Sequence, residues 1–149
     1  MVTLESVRQQ LTQVLHLRET PHRTALAFAL GVFIAFAPHY LLHTASVVFC
    51  AWAFRLNFLA LLLGSFINNP WTLVPILAAS LYTGLLLVGT ASSTTIEWEQ
   101  MRVDNMFDML SPYLVPFIVG SCTLAIVGSL IAYPIMRWAI TRYRGFKNS

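Results

Sequence analysis

A chain of 149 residues holds one domain. With 57% hydrophobic and 10% charged residues it departs from soluble domains, which carry about 25% charged. Across 24–96 the single Asp, Glu, Lys or Arg is Arg55, and across 109–136 there is none; hydrocarbon accepts such runs and water does not. The net charge of +3 collects at the two ends, as Arg8, Arg18 and Arg23 and as Arg137, Arg142, Arg144 and Lys147, and not on one face, which excludes a nucleic-acid partner.

These runs predict an all-α integral membrane protein. Taken from the N-terminus, Leu4, Val7, Leu11, Val14 and Leu15 recur at helical spacing, with Arg8, Gln9, Gln10, Gln13 and Arg18 off that stripe. Residues 1–19 therefore read as an amphipathic interfacial helix, lying in the headgroup plane or packed on the cytoplasmic face of the bundle. Residues 20–144 form the transmembrane helical domain and 145–149 a cytoplasmic tail.

Within that domain, Thr20-Pro21, Asn69-Pro70 and Ser111-Pro112 each set a capping side chain before a proline. That is the grammar of a helix start, because proline at the first helical position lacks an N–H that would be unpaired anyway. Pro38 marks a further helix start without a side-chain cap, since Ala37 precedes it. Between breaks, 24–37 rises only about 21 Å as a helix and 38–54 about 25 Å, both short of a hydrocarbon core of about 30 Å. The pair predicts a helical hairpin broken at Pro38, re-entrant or fully spanning, that returns Arg55 to the cytoplasmic interface. A broken helix at Asn69-Pro70 follows, then an external loop at about 92–111, which includes four acids and one Arg in 97–108. The last element is a C-terminal spanning helix with bends at Pro116 and Pro134. A faint echo links Gly31-Val32-Phe33-Ile34, Gly64-Ser65-Phe66-Ile67 and Gly128-Ser129-Leu130-Ile131. Glycine permits close helix packing in lipid. Cys50 and Cys122 lie in apolar runs and read as small buried side chains. No signal peptide is expected, because the first apolar run follows a polar, patterned segment.

Four groups of residues carry the candidate chemistry. Thr20, His22 and Arg23 stand at a helix start, where free N–H groups and the positive helix end attract anions. The bland reading of this group is a positive-inside anchor. Arg55 with Asn57 is the second group, and Arg suits phosphate because its fork is planar and permanently charged; the bland reading is a snorkelling loop residue. Asn68, Asn69, Trp71 and Thr72 form the third, since adjacent amides in an apolar run need partners. They line either a polar path or a purely structural helix break. His39 and His43, one turn apart with Thr44 beside them, are the fourth. Their spacing suits one metal, but no acid accompanies them, so hydrogen bonding inside the bundle is expected and no metal or other cofactor. No catalytic residue is assigned: the serines and Cys50 lack an acid–base partner, and Glu97, Glu99, Asp104 and Asp108 solvate the loop.

Thr20-Pro21-His22-Arg23, the run Gly31 to Pro38, His43-Thr44, Arg55-Leu56-Asn57, and Gly64 through Asn69-Pro70-Trp71-Thr72 occur in an order that resembles the bacterial membrane family catalogued as domain of unknown function 2062. The resemblance spans roughly residues 18–90. Such proteins often place a glycine after the first helix break, where this chain has Leu41-Leu42. The resemblance implies residence in the bacterial inner (cytoplasmic) membrane. Relatives joined to glycosyltransferase domains imply cell-envelope metabolism and an envelope glycosyltransferase as a partner. The combined expectation is a multi-pass protein with both termini cytoplasmic that binds, and by extension translocates, an anionic amphiphile such as a lipid phosphate (a polyprenyl phosphate or a phospholipid). Anionic membrane lipids and a second copy of the chain are the other expected partners. Thr20, His22, Arg23, Arg55 and Asn57 would hold the anion, while His39, His43, Thr44, Asn68, Asn69, Trp71 and Thr72 would line the path. The rival is a non-transporting membrane module that anchors or assembles a cell-envelope enzyme.

Overall fold

Thr20 opens the first helix as its sequence context demands. Its backbone is extended, its hydroxyl accepts from the Arg23 N–H at 3.4 Å, and Pro21 takes the first helical position. A computed structural model of the chain describes residues 19–38, 42–89 and 106–147, together with Glu5 and Gln9, with the backbone alone for 106–110, 146 and 147. Apart from Glu5, Gln9 and Glu19, the expected interfacial helix at 1–19 lies outside the described residues, as do His39, residues 90–105 with most of the expected external loop, and the last two residues. Five helices and no strand make up the described part: α1 (Pro21–Phe36), α2 (His43–Ala53), α3 (Phe58–Ser65), α4 (Leu73–Val88) and α5 (Met106–Lys147).

Each break has a local cause. Ala37 is extended, at ψ 142°, because Pro38 follows it, and α1 ends there; the helix start expected at Pro38 is corrected, since α2 begins at His43. At the end of α2 the chain turns through Arg55 with φ 50°. The Leu56 N–H bonds the Ala51 carbonyl and the Arg55 N–H the Trp52 carbonyl, the paired bonds of a Schellman stop. Asn57 then caps α3, its Oδ1 accepting from the Ala60 N–H at 3.1 Å. At Asn69-Pro70 the expected start is displaced by a turn. Asn69 Oδ1 accepts from the N–H groups of Trp71 and Thr72, and regular helix begins at Leu73.

The expected start at Ser111-Pro112 is corrected. α5 begins at Met106, inside the stretch assigned to the loop, and its 42 residues run through Pro112, Pro116 and Pro134. A proline removes one helical bond and crowds the carbonyl four residues back. At Pro116 packing offsets that cost, since it is buried and its carbonyl abuts Gly84 of α4, whereas Pro112 and Pro134 are exposed. By length and composition, Ser111–Gly145 is the one helix among the described residues able to cross a membrane.

α5 is the spine. α1 lies antiparallel along its C-terminal half: Ala25 packs with Met136 and Ile140, and Gly128 faces Val32 and Phe36. α4 lies antiparallel along its N-terminal half, where Gly84 meets Pro116 and Gly120 meets Ser80. α3 runs parallel to α1 in a reciprocal crossing. A Cβ on Gly31 would overlap the Leu61 carbonyl, and one on Gly64 would overlap the Phe28 carbonyl. In each case the obstructing carbonyl lies three residues before the partner glycine. The glycines of the echo thus converge on one stretch of α1, since Gly64 and Gly128 both approach Val32.

The interior mixes small side chains with larger ones such as Ile34, Val47, Leu61 and Ile140. Ala25, Ala27, Ala29, Ala35, Ala60 and Ala125 are buried, with Thr24, Ser65, Ser80 and Ser121 among them. Large apolar side chains face outward, including Trp52 at 78% exposed, Trp71 at 90% and Leu130 at 69%. The reading of Cys122 as buried is corrected: it is exposed on α5, while Cys50 is half-buried.

Candidate functional site

The α1–α2–α3 path brings the Arg23 side chain to the backbone of Arg55, the one charged residue of the long apolar run. Arg23 Nη2 donates to the Arg55 carbonyl at 2.6 Å, across 32 residues of sequence. Because α1 and α3 are parallel, their N-termini stand side by side here, each with partly free N–H groups and the positive end of its dipole. The Arg55 guanidinium is exposed beside them. Thr20 and Asn57 belong to this end as the N-caps of α1 and α3.

The C-terminal part of α5 completes the basic end. His22 Nδ1 lies 2.6 Å from the Tyr133 hydroxyl, and the two rings meet edge to face at 5.7 Å. Arg144 donates to the Glu19 carbonyl at 2.6 Å. The Arg142 guanidinium lies 6.0 Å from the centre of the Trp138 ring, within cation–π range. Tyr133 and Arg144 were not singled out from sequence. Tyr133 was open to detection as a polar tip in an otherwise apolar run; the Arg144 contact was not, since it depends on the antiparallel docking of α1.

The amide cluster lies at the other end of α1. Asn68 Nδ2 donates to the Ala35 carbonyl at 3.0 Å, filling one of the carbonyls left open at the end of α1. Asn69 serves the turn into α4, and Thr72 Oγ1 donates to the Ile67 carbonyl while accepting from the Asn69 N–H. These polar atoms close on the chain's own backbone. Trp71 projects outward, His43 opens α2 half-buried, and Thr44 is exposed. Among the described residues no group of three or more His, Cys, Asp or Glu side chains comes together.

Between these two ends runs an apolar groove of about 470 Å³, walled by Phe28, Val32 and Phe36 of α1, Ile67, and the Gly128 to Ala139 face of α5. None of the candidate polar residues lines it. Fold and site together define a class: among the described residues, short broken helices pack on one long apolar helix, with the described arginines gathered at one end. The chain belongs to the family described as an uncharacterized protein conserved in bacteria, domain of unknown function 2062, which matches residues 4–149. The match extends the resemblance from the first half to nearly the whole chain. No curated protein and no solved structure matches it.

Proposed function

We propose that the protein is embedded in the bacterial inner membrane and binds an anionic lipid phosphate at its basic end. The many exposed large apolar side chains, together with glycines seated on neighbouring backbone at the α1–α3 and α4–α5 crossings, support the embedding, because helices in lipid associate through close small-residue contacts. Trp52 and Trp138 beside the arginines fit an interfacial belt, and the basic ends fit cytoplasmic termini. Lengths favour the re-entrant form of the hairpin. The tip of α1 is level with Gly128, about 12 Å along α5 from Met136, near the midplane of a core of about 30 Å. α3 and α4 together rise about 36 Å, enough for one broken crossing.

The observation that carries the lipid-phosphate reading is the joining of Arg23 to Arg55 where two helix N-termini lie side by side. Arg55 adds a second argument. It stands in the left-handed region where a Schellman stop favours glycine, a strain of about 1–2 kcal/mol. A strained arginine is retained where its side chain has work, here contacting phosphate. Arg55→Ala should weaken binding of a fluorescent anionic lipid in detergent by about 10- to 100-fold, the worth of one charge-assisted hydrogen bond of about 1.5–3 kcal/mol. Arg142→Ala should matter less, because basic neighbours share its role. Arg55→Gly separates binding from folding: it should lose affinity while raising thermal stability. Unchanged affinity in both Arg55 variants would remove the arginine from the site. The second reading, a non-transporting module that anchors or assembles a cell-envelope enzyme, is favoured by one observation. Asn68, Asn69 and Thr72 bond the chain's own backbone, which leaves lipid binding supported more strongly than translocation.

A further inference from the structure

The groove between α1 and α5 gives the proposed ligand a second half. We infer that it holds the hydrocarbon tail of a single-tailed lipid phosphate whose head lies at the basic end; the head's placement rests on the function proposed above. Three observations carry this. Small residues open the groove: Gly128, Ala132 and Ala139 fall on one face of α5, flanked by Ile131, Ile135 and Met136, and Phe28 and Phe36 of α1 form the opposite wall. A Cβ on Gly128 would sit in ordinary contact, 3.5 Å from Val32 and Phe36 side chains, so the trough is not demanded by a backbone crossing, unlike those at Gly31 and Gly84. Its volume of about 470 Å³ lies in the range of small-ligand sites, about 300–1,000 Å³, and its lining is apolar.

Charge complementarity chooses the occupant. The end of the groove at Ala139 lies between Arg137 and Arg142 in sequence, and Ala25, in the first turns of α1, packs on the neighbouring Met136 and Ile140. An amphiphile lying along the trough therefore carries its tail toward Gly128 and its phosphate toward the arginines. One trough bounded by two helices takes one chain, which favours single-tailed phosphates over diacyl lipids.

The test uses purified full-length protein in detergent and native mass spectrometry with dodecyl phosphate, farnesyl phosphate, dodecanol and dioleoyl phosphatidate. Wild type should bind the two single-tailed phosphates at one per chain, and more tightly than phosphatidate. Ala132→Leu and Ala139→Leu should each weaken them by 10-fold or more, with unchanged elution on size exclusion. Val127→Leu, outside the groove on the same helix, should leave them unchanged. Wild-type affinity in both groove variants overturns the inference, as does tighter binding of phosphatidate that neither variant affects. If Ala132→Leu instead converts a dimer to a monomer with lipid affinity intact, the groove is an interface between copies and the inference falls. If dodecanol binds as tightly as dodecyl phosphate, and Ala132→Leu but not Arg55→Ala weakens both, the tail site stands and the phosphate reading fails.

Discussion

Asn68 illustrates how a single side chain can look like a binding residue and serve as a cap. Adjacent amides in an apolar run signal either a ligand or an unfinished backbone, and the sequence contains no means of choosing. The choice depends on Ala35, 33 residues away, whose carbonyl accepts from Asn68. Substitution therefore has a graded outcome. Asn68→Ala leaves a carbonyl unpaired in a water-poor setting and should cost about 1–3 kcal/mol. Asn68→Asp should cost more, since a carboxylate cannot donate and would face the negative end of α1. Thermal denaturation followed by size exclusion orders the three proteins, and an Asn68→Asp variant as stable as wild type would remove the cap. Arg55 is the opposite case. Its solitary charge was visible in the sequence, but its left-handed backbone was not, because nothing in Phe54-Arg55-Leu56 announces a Schellman stop where glycine is missing.

At the scale of elements, the sequence was most informative where proline meets a cap. Thr20-Pro21 starts α1 as expected, and Ala37-Pro38 ends it. Ser111-Pro112 misled, since the same dipeptide lies, exposed, inside a continuous helix that begins at Met106. The glycine echo carried more than its low complexity suggested: Gly31 and Gly64 are the two sides of one crossing, each seated on a carbonyl of the other helix. Such a contact cannot accept a methyl group by moving a flexible side chain, because backbone is what stands in the way. Gly31→Ala and Gly64→Ala should each destabilise by at least about 1–3 kcal/mol, the ordinary cost of overpacking. Gly145→Ala in α5 is the contrast. Nothing lies within 4 Å of a Cβ there, so better helix propensity should make it neutral or stabilising by up to about 1 kcal/mol. Equal melting temperatures for all three variants would show that the crossing is not tightly packed in solution.

At the scale of the whole molecule, composition alone pointed to helices and to apolar surroundings, but not to how far each helix reaches. Segment lengths left the first hairpin open between a re-entrant and a spanning form, and both return the chain to the cytoplasmic side. Docking on α5 fixes only how far α1 reaches along that helix. Phe36 is level with Gly128, while Ala25 is level with Met136 and Ile140 next to the arginines. The apolar stretch from 111 to 136 rises about 39 Å, so on the embedding proposed above a point about 12 Å from its basic end would lie well short of the far interface. A fluorophore at Phe36→Cys, in a protein with Cys50→Ser and Cys122→Ser, should therefore report mid-bilayer depth after reconstitution. Quenching by doxyl lipids should be strongest when the doxyl group is deep in the acyl chain. The same label at Leu26→Cys, one turn into α1 from the basic end, should respond best to shallow doxyl groups. Iodide outside the vesicles should quench neither. Iodide quenching at position 36, from the face opposite the basic end, would mean that α1 crosses the bilayer and that the hairpin is a full one.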